Sequence, residues 1–443
     1  MYCGGCLRDN ALVAALRQQG HQVLMVPLYL PLTLDEQDQS AGSPIFFGGI
    51  NVYLAQKAPL FREAPGWLRD LFTSRRLLQW AAGKAAKTRA ADLGELTLSM
   101  LRGEAGNQAR ELDVLITWLK TQPKPDVICL SNALLIGMAR RLKSDLGTPV
   151  TCALQGEDLF LDALPDTHRS ACWRLLAERA AEVDLFIAPS RYFGGLMRER
   201  LGLVAERVRV VHNGISLEGY EGEVQGPKSR VQSPTSEGKA ETEPSSLEPR
   251  PSPLVLGFFA RMCPEKGLDT LVEAYLLLRQ RGRVGPLKLR VGGSCGPADE
   301  TFVNSLRQRL AAAGVLGDVE FHPNVDRAGK LAFLRSLTVF SVPARYGEAF
   351  GLYVIEALAA GVPVVLPPLA AFPEIIEATG GGVLCAAADP AALAEAIEAL
   401  LLDRARARTL GDAGRRAVFE RFSAEAMART LVEAYAGLAP AKR

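Results

Sequence analysis

Short apolar segments alternate with helix-like segments along most of the chain, and this alternation limits the fold more than any other feature. The strand candidates of the first half are residues 23–29, 126–131, 149–156 and 184–190, with helical patterns at 132–146 and 172–182 between them. Such alternation indicates parallel strands joined by helical crossovers. We therefore predict an α/β protein built from doubly wound parallel sheets.

The segment 222–253 interrupts this pattern. It is rich in Ser, Pro, Glu and Gly and has no aromatic residue, so it buries too little apolar surface to offset its ordering entropy. We predict a disordered linker here, between a first domain at 1–221 and a second domain at 254–423. The 443 residues are enough for two separate cores.

Charge and cysteine content restrict the partners and the compartment. Charged residues make up 23% of the chain and the net charge is +2, which gives no reason to expect nucleic acid or another polyanion. Cys129, Cys152 and Cys385 adjoin apolar strand candidates, which predicts reduced, buried thiols in a cytoplasmic protein. The pair Cys3 and Cys6 has CxxC spacing, for which zinc binding or redox chemistry is an alternative, but no second Cys/His pair lies nearby.

No membrane span is predicted. The apolar tract 357–373 contains four prolines, which prevent an uninterrupted helix of the required length, and residues 1–20 lack the apolar core of a secretory signal. Residues 67–87 mix basic and apolar side chains. A helix packed on its own domain is the favoured interpretation of this segment, and peripheral contact with the inner face of the membrane is the alternative.

The segment 344–363 carries the strongest chemical signal. A helix starting near Gly351 would leave the N–H groups of Phe350, Gly351 and Leu352 free at its positive end, where phosphate binds well. Glu348 precedes this helix and Glu356 lies inside it. Two carboxylates flanking an anion site fit a nucleotide-sugar, in which a diphosphate lies between two hydroxyl-rich groups. The alternative is that both acids only complement the helix dipole.

A second signal follows the apolar run 254–260, which predicts a buried strand. Arg261 and Lys266 come directly after it, at the carboxyl end of a strand where open α/β sheets bind ligands. A planar guanidinium and a point charge together suit a diphosphate. The alternative is an ordinary solvated pair of basic side chains.

The two segments together resemble the retaining glycosyltransferases of the GT-B fold, family 4. The Arg-x-x-Pro-Glu-Lys-Gly loop of that family matches 261–267, and its Glu-x7-Glu element matches Glu348 and Glu356. The segments 288–297 and 319–325 are similar to the intervening glycine-rich loop and strand. The resemblance covers nearly the whole chain and implies two Rossmann-like domains facing a cleft, with a C-terminal helix within 424–443 packing back on the first domain.

The resemblance also implies residue roles and a substrate. A nucleoside-diphosphate sugar would be the donor, with Arg261, Lys266 and the amides of 350–352 stabilising the leaving diphosphate. Glu348 would bind the donor sugar and Glu356 the ribose, while Gly4 and Gly5 would let the backbone approach the phosphate and the acceptor. The chain has no Asp-x-Asp motif, so we expect neither an essential metal nor another cofactor.

The chain departs from the family pattern in two places. Met1 lies almost on the loop of Gly4 and Gly5, which a helix at 9–19 would follow, so the family's first strand is missing. We expect a true start codon upstream; a naturally degenerate protein is the competing idea. The family's His-Gly-x-Asp is replaced by a segment from Gln155 to Asp158, which makes Gln155 an untitratable substitute and Asp158 a candidate helper on the sugar or acceptor side.

Three other functions are weighed against this one. A nicotinamide-dependent oxidoreductase would need a G-x-G-x-x-G after a strand, and none occurs. A glycogen or starch synthase shares the fold, and residues 44–56 resemble those enzymes faintly. An inactive relic would explain the missing strand but not the four retained charged residues. The sequence leaves open the nucleotide base, the sugar, the oligomeric state and the acceptor, whether glycan, lipid, small molecule or protein.

Overall fold

Two parallel sheets organise the part of the chain that the structure describes. The computed structural model describes residues 4–28, 36–46, 90–222 and 253–438. One sheet belongs to the first half of the chain and the other to the second half, and helices cover both. This confirms the predicted α/β architecture of two Rossmann-like domains.

The first domain has four described strands in the order β1-β2-β3-β4, all parallel. They are β1 Ile128–Leu130, β2 Val150–Ala153, β3 Leu185–Ala188 and β4 Val208–Val210. Its helices are α1 Gly4–Gln18, α2 Ala90–Arg102, α3 Ala109–Leu119, α4 Ala139–Leu146, α5 Glu157–Asp162, α6 Asp166–Arg179 and α7 Arg191–Leu201.

The second domain has six described strands in the order β10-β9-β8-β5-β6-β7. They are β5 Leu254–Phe259, β6 Leu287–Gly293, β7 Val319–Pro323, β8 Val339–Ser341, β9 Val364–Leu366 and β10 Gly382–Leu384. Helices α8 Leu268–Arg281, α9 Glu300–Ala312, α10 Arg327–Arg335, α11 Leu352–Ala359, α12 Phe372–Thr379, α13 Pro390–Leu402 and α14 Arg404–Arg421 follow them. Since the chain enters at a central strand and winds outward in both directions, the strand order reverses between β5 and β8.

The apolar patterns explain why these elements pack as they do. The strand β5 is almost continuously apolar and buried, as expected for a parallel strand covered on both faces. In α8 the predicted apolar face is confirmed, because Leu268, Leu271 and Tyr275 are fully buried. The C-terminal helix α15, Ala424–Tyr435, packs against α1 of the first domain through a small apolar cluster that includes Leu12 and Leu431.

The prediction of a strand at 23–29 is wrong for the described part of that segment. Residues 21–28 form no regular secondary structure, because no described strand lies beside them to complete the hydrogen bonds of a ladder. Burial of Cys129 is also wrong: its side chain is exposed on β1, an edge strand of the described sheet, whereas Cys152 is buried and Cys385 half-buried.

Several predictions lie outside the described residues. These are the linker at 223–252, the amphipathic segment 67–87, most of the segment 44–56 and Cys3. Among the helices that the structure describes, none combines the length and the apolar character needed to cross a bilayer.

Candidate functional site

The site lies where the strand order of the second sheet reverses. Strands β5 and β8 pair there in parallel, Leu256 with Val339 and Gly257 with Phe340. The loops that leave these two strands therefore open from the same edge of the sheet, and the Arg345 N–H donates to the Glu265 carbonyl across them at 2.9 Å. Ligands of open α/β sheets bind in the crevice at such a reversal.

Lys266 and Glu348 form an ion pair at this point. Only 14% of the Lys266 side chain and 13% of the Glu348 side chain are exposed. The Lys266 ammonium also lies 4.8 Å from the ring centroid of Tyr346, and burial, followed by the nearby Glu348 charge, raises the pKa of Tyr346. A cation held between a carboxylate and an aromatic face can exchange one partner for an incoming anion.

The turn that carries Lys266 depends on a glycine. Pro264–Lys266 is a single 3₁₀ turn closed by Gly267 at φ +71°. A Cβ on Gly267 would lie 1.9 Å from the carbonyl oxygen of Pro343, so any other residue would separate this turn from the segment that leads to Glu348. The sequence Pro-Glu-Lys-Gly thus brings the ammonium to the carboxylate.

Arg261 lies at the rim and is held by Asp299. Its Nη2 donates to Oδ1 at 2.9 Å, and its Nε is 3.2 Å from both carboxylate oxygens. Asp299 is buried and also accepts from the Gly296 amide at 3.0 Å. Because the Arg261 guanidinium contacts the Asp299 carboxylate through Nε and Nη2, its Nη1 stays available for an anion. Sequence reasoning missed Asp299; an acid just after the glycine-rich loop at 288–297 was the available signal.

The predicted helix start is confirmed. Helix α11 begins at Leu352, and Gly351 precedes it at φ +97°. Among the described residues, the amides of Phe350, Gly351 and Leu352 have no hydrogen-bond acceptor. The buried ring of Phe350 packs against Phe422, with 6.1 Å between the ring centroids, and this contact anchors the turn. Backbone N–H groups without an acceptor at a helix start are the groups that an anion binds well, so this turn is a candidate anion site.

Glu356 lies farther along α11. Its Oε1 accepts from the Lys330 ammonium on α10 at 2.6 Å. The structure thus gives both predicted carboxylates a lysine partner. Sequence reasoning did not identify Lys330, because nothing in the local pattern of α10 indicates which helix it faces.

The predicted loop at Gly4 and Gly5 is wrong. Both residues belong to the first turn of α1, which begins at Gly4 rather than at residue 9. Glycine costs little in a first turn, where the amides have no intrahelical partner in any case. A Cβ on Gly4 would lie 3.6 Å from Leu352 Cδ1, so the start of α1 still lies against the start of α11, at the boundary between the two domains.

The segment from Gln155 to Asp158 also faces the second domain. A Cβ on Gly156 would lie 3.6 Å from that of Ala349, the neighbour of Glu348. The side-chain Nε2 of Gln155 donates to the Ser131 carbonyl at 3.0 Å, which gives this side chain a structural partner. Asp158 is 7% exposed and its Oδ1 has no partner among the described residues; burial raises its pKa.

Glu157, which sequence reasoning missed, holds this turn together. Its buried carboxylate accepts from the amides of Ala133 at 2.8 Å, Gln155 at 2.8 Å and Gly156 at 3.1 Å. Burial raises the pKa of Glu157, and these amides oppose that rise. An acid between two candidate residues thus has a structural role, which its position in the motif does not reveal.

The two domains touch directly beside the site. The Ser190 hydroxyl donates to the Ala349 carbonyl at 2.7 Å. A Cβ on Gly347 would lie 2.6 Å from the Tyr192 hydroxyl. First-domain groups therefore lie against the segment that carries Glu348, and the cleft brings the anion site to the side chains of both domains.

Two Rossmann-like domains with a candidate anion site at a strand reversal, facing each other across a cleft, define a protein of the GT-B fold. HepE from Anabaena, solved with UDP, has the same fold with a TM-score of 0.59 and 17% identity, over 93% of this chain and 100% of that one. Two family models match: "Glycosyl transferases group 1" at 239–417 and "Glycosyl transferase 4-like domain" at 8–214. The chain belongs to the glycosyl transferases of group 1.

Curated relatives agree with this family. The lipopolysaccharide core biosynthesis mannosyltransferase LpsB of Rhizobium meliloti is 33% identical over 41% of this chain. That match spans about half of the relative, 51% of its length. The D-inositol 3-phosphate glycosyltransferase 1 of Catenulispora acidiphila is 28% identical over 82% of this chain and 84% of its own.

Proposed function

We propose that this chain transfers a sugar from a nucleoside-diphosphate sugar to a hydroxyl-bearing acceptor, with retention of the anomeric configuration. The observation that carries the proposal is the Lys266–Glu348 ion pair beside a helix start, at α11, whose amides have no acceptor among the described residues. HepE, solved with UDP, and the glycosyltransferase names of the relatives support a nucleotide-sugar donor. Retention is inferred from the family resemblance.

In this mechanism the diphosphate replaces Glu348 as the partner of Lys266. The α11 amides and the Nη1 of Arg261 then stabilise the charge that develops as the sugar–phosphate bond breaks. Glu348, released from the lysine, accepts hydrogen bonds from the donor sugar, and Glu356 accepts from the ribose. Because these groups neutralise the leaving group with amides and cations, we expect transfer to proceed without an added metal.

The acceptor would enter from the first domain. Gly4 at the start of α1 lies close to Leu352, and Gly156, in the segment from Gln155 to Asp158, lies close to Ala349; Gly5 follows Gly4 in the same turn of α1. Asp158 offers a buried carboxylate oxygen without a partner among the described residues, which suits an acceptor hydroxyl. The proposal leaves a glycan, a lipid or a small molecule as the acceptor. A cytoplasmic location, with or without peripheral contact at the inner face of the membrane, stays a prediction.

The test is an assay of nucleoside-diphosphate release. UDP-, GDP- and ADP-sugars are each incubated with the protein and D-inositol 3-phosphate, with and without EDTA, and the anomeric configuration of the product is read by proton NMR. The proposal predicts release from one donor, insensitivity to EDTA and a product with the configuration of the donor. An inverted product would contradict retention, and loss of activity in EDTA would contradict metal independence.

A further inference from the structure

Lys330 lies on α10 and contacts Glu356, the carboxylate proposed to bind the ribose. The start of α10 is held in place by several contacts. Asp326 caps α10 by accepting from the Gly329 amide at 2.7 Å. Arg327, in the first turn, donates to the Glu218 carbonyl at 2.8 Å and pairs with Glu36 of the first domain. Lys330 is one turn farther on, so its ammonium extends from a helix end that the structure fixes at several points.

The contact between Lys330 and Glu356 uses only half of the carboxylate. The ammonium lies 2.6 Å from Oε1, whereas no described residue donates to Oε2. The two side chains are 17% and 16% exposed, so the pair is largely withdrawn from solvent. A carboxylate with one oxygen held by a cation and the other free is fixed in orientation and can still accept from a hydroxyl.

A second polar group at this place has no partner. The Tyr220 side chain is 4% exposed, and its hydroxyl makes no hydrogen bond within the described part of the chain. Burial and then the nearby Glu356 charge raise the pKa of Tyr220, while Arg327 and Arg335 act against them. Since buried hydroxyls are nearly always hydrogen-bonded, a buried phenol without a partner near Glu356 is consistent with a site for a polar guest.

We infer that Lys330 is a positioning residue for the ribose of the donor, because it fixes Glu356 so that Oε2 accepts from a ribose hydroxyl. The inference rests on the proposed function and adds to it the group that orients the ribose-binding carboxylate. It differs from two simpler roles for the pair. A purely structural ion pair would not distinguish nucleotides with and without ribose hydroxyls, and an inhibitory pair would weaken donor binding.

The experiment is a calorimetric comparison of three probes. UDP, GDP and ADP are titrated into the full chain, and the tightest binder is then compared with its 2′,3′-dideoxy counterpart and with inorganic pyrophosphate. Lys330→Gln should weaken binding of the ribonucleotide about tenfold, the effect of a lost charge-assisted hydrogen bond. The affinities for the dideoxynucleotide and for pyrophosphate should change less than about twofold.

Three variants provide the controls. Lys288→Gln removes another Lys–Glu pair of the same domain, in which Lys288 lies 3.1 Å from Glu320 on the neighbouring strand, and it should leave all three affinities unchanged. Lys330→Arg keeps the cation and should retain most of the ribose-dependent affinity, which also covers the case in which Lys330→Gln does not fold. In a Glu356→Gln background, Lys330→Gln should no longer change the affinity for the ribonucleotide.

The outcomes separate this inference from the proposed function. Equal weakening of the ribonucleotide and the dideoxynucleotide by Lys330→Gln would assign Lys330 a structural role and overturn the inference alone. Tighter ribonucleotide binding by that variant would mean that Lys330 blocks the site, and would overturn it as well. If no nucleotide binds the folded wild-type chain, the proposed function fails, and the inference fails with it.

Discussion

His212 and Glu374 join the two domains through a hydrogen bond of 2.7 Å between Nε2 and Oε1. Glu374, on α12 of the second domain, also accepts from the amides of Arg191 and Tyr192 in the first turn of α7. An acid of one domain thus caps a helix of the other. Burial favours the neutral form of Glu374, but His212 and the amides outweigh it and lower the pKa of the carboxyl.

Replacing this acid should loosen the contact between the domains. Glu374 is 8% exposed, so Glu374→Gln leaves helix-end donors without an ionised acceptor, and we expect a loss of about 1–3 kcal/mol in the free energy of unfolding, measured with urea. Glu377→Gln is the matched control, because Glu377 lies on the same helix and bonds Arg191, but is exposed. An equal loss of unfolding free energy in both variants would show that the buried cap contributes no more than an exposed ion pair.

The same carboxylate should make stability depend on pH. Its folded-state pKa lies below the ordinary 4.5, so its stabilisation is complete above pH 4.5 and is lost as the pH falls through the folded value. The difference in unfolding free energy between wild type and Glu374→Gln should therefore shrink below pH 4.5. A difference that stays constant down to acid unfolding would refute this linkage.

Lys266 should carry much of the transition-state stabilisation. Lys266→Ala removes a cation from the leaving diphosphate, and we expect transfer to slow by ~10²–10³. This substitution also leaves Glu348 without its ion-pair partner, so the double variant Lys266→Ala/Glu348→Gln is measured beside it. Recovery of thermal stability in the double variant would show that the unpaired Glu348 carboxylate destabilises Lys266→Ala. Because Glu348→Gln also removes a proposed contact to the donor sugar, activity is judged in Lys266→Ala alone, where an unchanged transfer rate would contradict the role of Lys266.

Gly351 should be needed for the geometry of the α11 amides. At φ +97° a side chain is strained, and a Cβ there would lie 3.0 Å from Phe372 Cε1. Gly351→Ala should lower the unfolding free energy by about 1–2 kcal/mol and weaken pyrophosphate binding in calorimetry. Gly195→Ala, in the interior of α7 with nothing within 4 Å of its Cβ, should be neutral or stabilising by about 0.5–1 kcal/mol. Unchanged pyrophosphate affinity in Gly351→Ala would exclude these amides from the site.

The predictions that the structure confirms are those that depend on local sequence patterns. The helix start at Leu352 and the buried face of α8 follow from periodicity and glycine placement, and both are confirmed. The strand predicted at 23–29 failed in its described part because an apolar run becomes a strand only beside another strand, and no local pattern tells which neighbour is present.

Three of the missed residues were missed for one physical reason. Asp299, Lys330 and Glu374 act on groups that are 38, 26 and 162 positions away. Their side chains carry no motif of their own, and their partners become neighbours only after the sheet has set the order of its strands. A motif search therefore finds the groups at the strand ends but not the acids and lysines that hold them in place.

The donor site is tested most directly by a calorimetric titration of UDP, GDP and ADP into the wild-type chain and Lys266→Ala, with Lys288→Gln as control. We predict micromolar binding of one nucleotide to wild type and to the control, and a loss of affinity of at least about tenfold in Lys266→Ala. Absence of binding by all three to the folded wild type, or equal affinity in Lys266→Ala, would contradict a nucleoside-diphosphate site at the reversal between β5 and β8.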